Sequence, residues 1–484
     1  MSGIFGVISK SNCCGDLCHG VDYHSHLGTE YGGIAVLGKD GFSRRIHSIN
    51  QSQFKSKFYE EIKSIEGDSG IGVISDFDEQ PIFQNSKLGP FCIVTNGRIV
   101  NNRDLADKMF KDGITFSEVT RGGINMTELT AKLIAREDCF VSGIEKLFDT
   151  IKGACSLLIL NQDGIYAARD KLGYSPLVVG RKGSAWAVTT ESAAFINLGF
   201  EIVKYLEPGE IVLLNKHGFF NKNAGKDNMQ ICSFLWIYTG FPASCYEEIN
   251  VEVVRERSGA LLAKGDKNLK ADLVCGVPDS GTAHAIGYAM ESGVPFRRPL
   301  VKYTPGYGRS YTPPIQELRD LIATMKLVSI ESIIKNNRIV LCEDSIVRGT
   351  QLKGFTIVKL WNAGATEIHV RIACPPLMFP CKYNISTRTT KELAARRAIR
   401  DIEAKDIEDL SEYLNPDSEK YKAMINWLTK DINVTTLRYQ KLSDMVKAIG
   451  LPDEKLCLQC WIGDKRTKSG CTEKDTARCL KKES

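Results

Sequence analysis

The feature that most restricts how this chain can fold lies between Arg338 and Leu352, RIVLCEDSIVRGTQL. Ile339-Val340-Leu341-Cys342 is a short, unbroken apolar run of the kind that forms a strand buried on both faces of a parallel sheet, and Gln351 to Trp361 has the pattern of a helix. A polar turn containing Gly349 joins them. In this order, groups from Ser345, Gly349 and Thr350 meet a helix N-terminus, where unpaired N–H groups and the helix dipole favour a phosphate. Arg348 adds a cation to the same loop. Glu343 and Asp344 stand just before it, at the carboxyl end of the strand, where open α/β sheets bind ligands. Two carboxylates can accept hydrogen bonds from vicinal sugar hydroxyls while loop amides hold a phosphate. The segment therefore predicts a site for a phosphorylated sugar.

A chain of 484 residues has room for two or three domains with large cores. Its 63 basic and 58 acidic residues nearly balance, with no long basic block, which gives nucleic-acid binding no support. The opening MSGIFGVISK has no basic leader and no later apolar run reaches the length of a membrane span, so a soluble, cytoplasmic protein is expected. With no export signal, the sixteen cysteines are expected as reduced thiols, some of them metal ligands. Cys92, Cys155, Cys275, Cys342 and Cys374 lie inside apolar, strand-like runs and are expected in the core.

Ahead of the sugar-phosphate segment, short strand-like runs at 3–9, 32–38, 70–75, 91–97, 154–160, 164–170, 185–191 and 210–214 alternate with turns, and helical patterns fall at 127–136 and 192–198. This predicts stacked antiparallel sheets with helices outside. From Ile231 onward strands and helices alternate as a doubly wound parallel sheet requires: a strand at 271–278 ends at the Asp279-Ser280-Gly281 turn, and a helix follows at 284–292. A Pro-Asp-Ser-Gly turn is common in itself. Charged helical stretches fall at 391–409 and 418–431. A lone Cys457-x-x-Cys460 is ambiguous between zinc, redox and cluster chemistry.

The segment from Arg338 resembles the phosphoribosyl pyrophosphate loop of type I phosphoribosyltransferases. GIFGV at the start, TNG at 95–97, AARDKLGYSPLVVG at 167–180 and LEPGEIVLL at 206–214 resemble a glutamine amidotransferase domain with an N-terminal nucleophile. Together these motifs resemble the amidophosphoribosyltransferase family over nearly the whole chain, in its iron-sulfur branch. The resemblance implies three parts: an N-terminal αββα sandwich of the N-terminal-nucleophile type at 1–230, a type I phosphoribosyltransferase sheet at 231–445, and a helical C-terminal tail at 446–484.

For the site residues the resemblance implies the following. Ser2 occupies the position of the nucleophile, a cysteine in the family, exposed with its α-amine once Met1 is removed; a hydroxyl is far harder to activate than a thiol. Asn96 and Gly97 match the oxyanion-stabilising pair, although an Asn-Gly pair also suits an ordinary strand-end turn. The family's arginine for the glutamine carboxylate falls at Ser75 and its aspartate for the ammonium at Met126, and its HRGQ turn reads His26-Leu27-Gly28-Thr29. The charges that recognise glutamine are gone, so a degenerate glutaminase is expected. Ser280 carries over as the residue that approaches pyrophosphate and its Mg²⁺, with Glu343 and Asp344 beside it; the family has two aspartates where Glu343 is one methylene longer. The stretch 302–326, with Arg309, Arg319 and Lys326, matches the catalytic lid. Cys232, Cys381, Cys457 and Cys460 match the ligands of a 4Fe-4S cluster, whereas Cys471 and Cys479 match nothing.

The implied activity is formation of 5-phosphoribosylamine and pyrophosphate from phosphoribosyl pyrophosphate and ammonia, with nitrogen drawn from free ammonium, from glutamine or from a separate glutaminase, in a homo-oligomer. Two alternatives stay open at this point: a phosphoribosyltransferase acting on a nucleobase, and a non-catalytic regulator that binds phosphoribosyl pyrophosphate.

Overall fold

The computed structural model describes residues 2–120, 123–303, 327–383, 387 and 389–463. The N-terminal half is built from two facing antiparallel sheets. The first has seven strands, in the spatial order Glu201–Tyr205, Val178–Lys182, Ala185–Thr189, Gly3–Ile8, Ser69–Ser75, Tyr31–Gly38 and Gly41–Ser48. The second has six: Gly218–Asn223, Ile211–Asn215, Gly164–Ala168, Gly153–Asn161, Gly89–Ile99 and Ile82–Ser86. Strand alternation sorts their side chains. Ile4, Ile71, Val94, Leu158 and Val188 meet between the sheets, whereas Phe5, Val7 and Ile74 point outward against the helices Cys14–Asp22 and Phe54–Ile62. On the far side, Phe91, Ile93 and Ile159 pack against Met126–Ile134 and Phe140–Thr150. The result is the expected αββα sandwich.

The C-terminal half holds a four-stranded parallel sheet in the order Leu273–Gly276, Arg338–Glu343, Glu367–Ile372, Thr436–Tyr439. Both faces of its central strand are buried, which explains the continuous apolar run. Val340 and Cys342 face the helices Val251–Lys264 and Thr282–Ser292, and Ile339 and Leu341 face Ala394–Glu403 and Glu419–Ile432. The helix expected from Gln351 begins with a wider π-helical stretch, Leu352–Ile357, and continues as Val358–Asn362.

The five cysteines expected in the core, Cys92, Cys155, Cys275, Cys342 and Cys374, are all buried. A short parallel pairing sets Ile231 and Cys232, where the second half begins, against Leu456 and Cys457 of the tail. Among the described residues no helix is long and apolar enough to cross a membrane.

Candidate active site

The carboxyl end of the parallel sheet gathers residues expected from the sequence to bind a phosphorylated sugar. Glu343 ends the central strand, and the Asp279-Ser280-Gly281 turn from the neighbouring strand folds back onto it. Val277 N–H donates to the Cys342 carbonyl (3.0 Å), and Ser280 Oγ donates to Glu343 Oε1 (2.5 Å). Gly281 allows this approach: a Cβ there would lie 2.0 Å from the Cys342 carbonyl oxygen. Asp279 takes a left-handed φ of 71°, uncommon outside glycine and asparagine, and exposes its carboxylate to Lys302 Nζ at 2.6 Å.

Glu343 and Asp344 are adjacent and poorly hydrated. Burial, and next the charge of Asp344, push the Glu343 carboxyl well above its ordinary range. Burial pushes Asp344 up to about 7, opposed by the Ser345 hydroxyl and by the buried Arg255 guanidinium. Arg255 itself is held by the carbonyls of Trp236, Tyr238 and Gly240 at 2.9–3.0 Å. Two carboxyls that are costly to ionise together form a place where a divalent cation or a hydroxyl-rich ligand relieves the repulsion. Their chemistry, with Ser280 Oγ alongside, fits Mg²⁺.

Ser345 Oγ donates to Asp344 Oδ1 at 2.5 Å. Gly349, at φ 79°, turns the chain so that Thr350 opens the helix on an exposed surface. The Arg348 guanidinium pairs with Glu392, an arrangement the sequence does not reveal. Arg309, Arg319, Lys326, Cys471 and Cys479 lie outside the described residues.

A second site lies in the sandwich. Ser2, Ser75, Asp78, Gly97, Met126 and Thr130 are among the residues that line a small cavity. Ser2 Oγ donates to Ser75 Oγ at 3.4 Å, so two of the positions at which the sequence departs from the family's pattern meet. Gly97 lines this cavity, and glycine is required there: its φ is 134° and a Cβ would fall 2.2 Å from the Ala154 carbonyl oxygen. Sequence reasoning missed Asp78. This carboxylate, 4% exposed, accepts from the backbone N–H of Met126 (3.0 Å) and Thr127 (3.3 Å) at a helix N-terminus, and burial raises it to about 6. An acidic residue in DFDEQP, just after the Ser75 strand, is the only signal the sequence carries. A neighbouring cavity shares Ser2, Phe77 and Gly97 with the first and reaches Tyr174, Leu235 and Tyr383 in the direction of the second half.

Also missed was Glu191, fully buried where the halves meet. It accepts from His26 Nε2 (3.1 Å), from Tyr246 Oη (2.7 Å) and from Ser244 Oγ. After desolvation, which raises it, His26 is the largest influence, and the hydrogen bonds of Ser244 and Tyr246 help leave the Glu191 carboxyl below its ordinary range.

At the junction the four cysteines come together. Cys381 and Cys457 share a cluster with Tyr174 and Tyr383, with Cys232 and Cys460 packed against it. Tyr174 Oη lies 3.3 Å from Cys381 Sγ, and the Cys460 carbonyl accepts from the N–H groups of Met378 and Phe379. Burial, and then the proximity of Cys381, push Cys232 up to about 11. Among the described residues, no group of three or more His, Cys, Asp or Glu side chains is arranged to hold a metal ion. A four-iron cluster holds its thiolates further apart than a single ion does. Four converging, desolvated thiols fit that larger, softer group, which would stabilise them as thiolates.

An amidotransferase-type sandwich joined to a phosphoribosyltransferase-type sheet, with site residues in both, defines the class. A family profile described as "Glutamine amidotransferase domain" matches residues 70–197. An amidophosphoribosyltransferase of Methanothermobacter thermautotrophicus is 31% identical over 476 residues, covering 96% of this chain and 93% of its own. One of Methanocaldococcus jannaschii is 32% identical, covering 96% and 97%. The solved glutamine phosphoribosylpyrophosphate amidotransferase of B. subtilis, complexed with ADP and GMP, superimposes with a TM-score of 0.81 at 28% identity, over 95% of this chain and 96% of that one. The chain belongs to the amidophosphoribosyltransferase family.

Proposed function

We propose that the chain makes 5-phosphoribosylamine and pyrophosphate from phosphoribosyl pyrophosphate and ammonia, as an enzyme of purine biosynthesis. The observation that carries this reading is the convergence of Ser280, Glu343 and Asp344 at the carboxyl end of the parallel sheet, in a chain similar to amidophosphoribosyltransferases over almost its full length. The bond from C1 of the ribose to the pyrophosphate oxygen breaks first, and the electron pair leaves with pyrophosphate. Glu343 and Asp344 accept hydrogen bonds from the ribose hydroxyls and stabilise the cation that develops on the ring. The loop from Ser345 to Thr350, with Arg348, seats the 5-phosphate, and Arg309 and Lys326 act on the diphosphate from the lid. Ser280, Glu343 and Asp344 would hold Mg²⁺, which would supply positive charge to the leaving pyrophosphate. The ammonia lone pair then bonds to C1, and a proton is lost to solvent.

Glutamine is not the nitrogen donor in this reading. Its carboxylate would enter a cavity that offers Ser75 in place of an arginine and carries the Asp78 carboxylate, and its amide would meet Ser2 in place of a thiol. Asn96 and Gly97 remain as the frame of the former oxyanion site. Nitrogen comes from ammonium or from a separate glutaminase.

Three further assignments belong to this proposal. The halves divide at 230 and 445 into amidotransferase-like, transferase and tail segments. Cys232, Cys381, Cys457 and Cys460 hold a 4Fe-4S cluster that ties the tail to the junction. The working form is a homo-oligomer. Pyrophosphate release from phosphoribosyl pyrophosphate, with Mg²⁺ and ammonium, tests the activity: Asp344→Asn removes one charge and keeps the shape, and should slow release by roughly 10² or more. Release that is absent in wild type, or unaffected by Asp344→Asn, would rule the assignment out. Neither a nucleobase pocket nor a purely regulatory role is favoured by any feature of the site.

A further inference from the structure

The cavity beside Ser2 has kept its walls and changed its charge. Asp78 is the one carboxylate among the described residues that line it, and no Lys, Arg or His side chain joins it there. Arg98, the buried cation on the nearest strand, lies on the opposite face: Gly97 and Ile99 line the cavity, and strand alternation turns Arg98 away. Around Asp78 stand the hydroxyls of Ser2, Ser75 and Thr130. Ser75 Oγ takes hydrogen bonds from Ser2 Oγ and from Phe77 N–H, and Thr130 Oγ1 donates to the Met126 carbonyl at 2.8 Å, which leaves its lone pairs to accept. The free volume, about 10 Å³ for the centre of a water-sized particle, suits one small ion.

A single buried carboxylate ringed by hydroxyl acceptors, in a cavity the size of one water, is built for a small cation that carries its own N–H donors. We propose that this cavity binds ammonium, with Asp78 as counter-charge and Ser2 and Thr130, whose hydroxyl lone pairs are not taken by the bonds they donate, as acceptors for its N–H groups. Burial raises the affinity of Asp78 for a proton, against the hydrogen bonds it accepts from Met126 and Thr127. The adjoining cavity, which shares Ser2, Phe77 and Gly97 and extends to Tyr174, Leu235 and Tyr383, places this ion on the side from which the second half is reached. The half that matches the glutamine amidotransferase profile thus becomes a collector of ammonium. This inference rests on the ammonia-dependent reading and names where the nitrogen first binds.

The test is thermal unfolding of the full-length protein, without substrates, in ammonium chloride against sodium chloride at equal ionic strength. Ammonium should raise Tm to a plateau, and sodium should not. Asp78→Asn keeps an oxygen for the Met126 and Thr127 amides, so it should fold, and it should lose the ammonium-specific rise. Thr130→Val leaves Asp78 intact and should shift the ammonium midpoint several-fold upward. Crystals soaked in thallous ion, which matches ammonium in charge and size, should show an anomalous peak beside Asp78 that ammonium chloride displaces. A stabilisation equal for sodium and ammonium, or unchanged in both variants, overturns the proposal, as does the absence of a thallium peak because the chain's own α-amine fills the place. None of these readings requires turnover. Lost binding with ammonium-driven synthesis intact sinks the site alone, and intact binding without synthesis sinks the functional reading.

Discussion

Gly281→Ala is the sharpest single perturbation of the transferase site, because it adds one methyl group and touches no charge. The new Cβ would fall 2.0 Å from the Cys342 carbonyl oxygen, 2.8 Å from Val277 N and 2.9 Å from the Cys342 carbonyl carbon. All three are backbone atoms, so no side chain can rotate to make room. Ordinary contact begins near 3.4 Å, which forces the turn to retreat by roughly 1 Å or more. The retreat strains the Val277 N–H bond to Cys342 (3.0 Å) and draws Ser280 Oγ away from Glu343 Oε1 (2.5 Å). Overpacking of this kind costs about 1–3 kcal/mol, which at this domain size lowers Tm by roughly 2–12 °C. A misplacement of about 1 Å in a reacting centre costs on the order of 10² in rate. Differential scanning calorimetry and Mg²⁺-dependent pyrophosphate release measure the two effects on one preparation. Gly354→Ala is the control: nothing lies within 4 Å of its added Cβ, and in a helical segment alanine is favoured by about 1 kcal/mol. A Gly281→Ala protein with wild-type Tm and rate would refute the argument that this close approach holds Ser280 on Glu343.

Two more predictions concern the ions. Glu343 and Asp344 are both raised, Asp344 to about 7, so below that pH the free pair retains protons that a divalent cation must displace. Mg²⁺ affinity should climb as pH rises through about 7, and calorimetric titration near pH 6.5 in buffers of different ionisation enthalpy should register proton release; heats independent of buffer would contradict the coupling. For the thiols, anaerobically purified protein should be brown and contain iron and sulfide, and Cys457→Ser should lose both and destabilise the tail that pairs with Ile231 and Cys232. A colourless, zinc-containing wild type would reject the cluster.

The parts of the fold that could be read in the sequence are those where burial imposes one composition. Ile339 to Cys342 is apolar throughout because both faces of that strand are covered, and the sandwich strands Gly3–Ile8, Ser69–Ser75 and Gly153–Asn161 stand out for the same reason. Edge strands hid. Gly41–Ser48 carries Arg44, Arg45 and His47, and Glu201–Tyr205 exposes Ile202 and Val203, so neither shows a clean alternation. Helix Cys14–Asp22 buries cysteines where leucines would have marked it. At the sites, Glu343, Asp344 and the Asn96-Gly97 pair were legible because each stands in a short run of residue types, a strand end or a turn, that marks itself in the sequence. Asp78 and Glu191 draw their meaning from Met126 and Thr127, and from His26, Ser244 and Tyr246, all 48 or more residues away. Arg348 is likewise decided at a distance, by Glu392.

The central claim is that the transferase runs on ammonia and that the sandwich no longer hydrolyses glutamine. The most direct measurement supplies phosphoribosyl pyrophosphate and Mg²⁺ with either glutamine or ammonium and follows both pyrophosphate and glutamate. Pyrophosphate should appear with ammonium, faster at alkaline pH where free ammonia rises, and neither product should appear with glutamine. Glutamate formed in proportion to enzyme, and abolished by Ser2→Ala, would contradict the account and establish Ser2 as a working nucleophile.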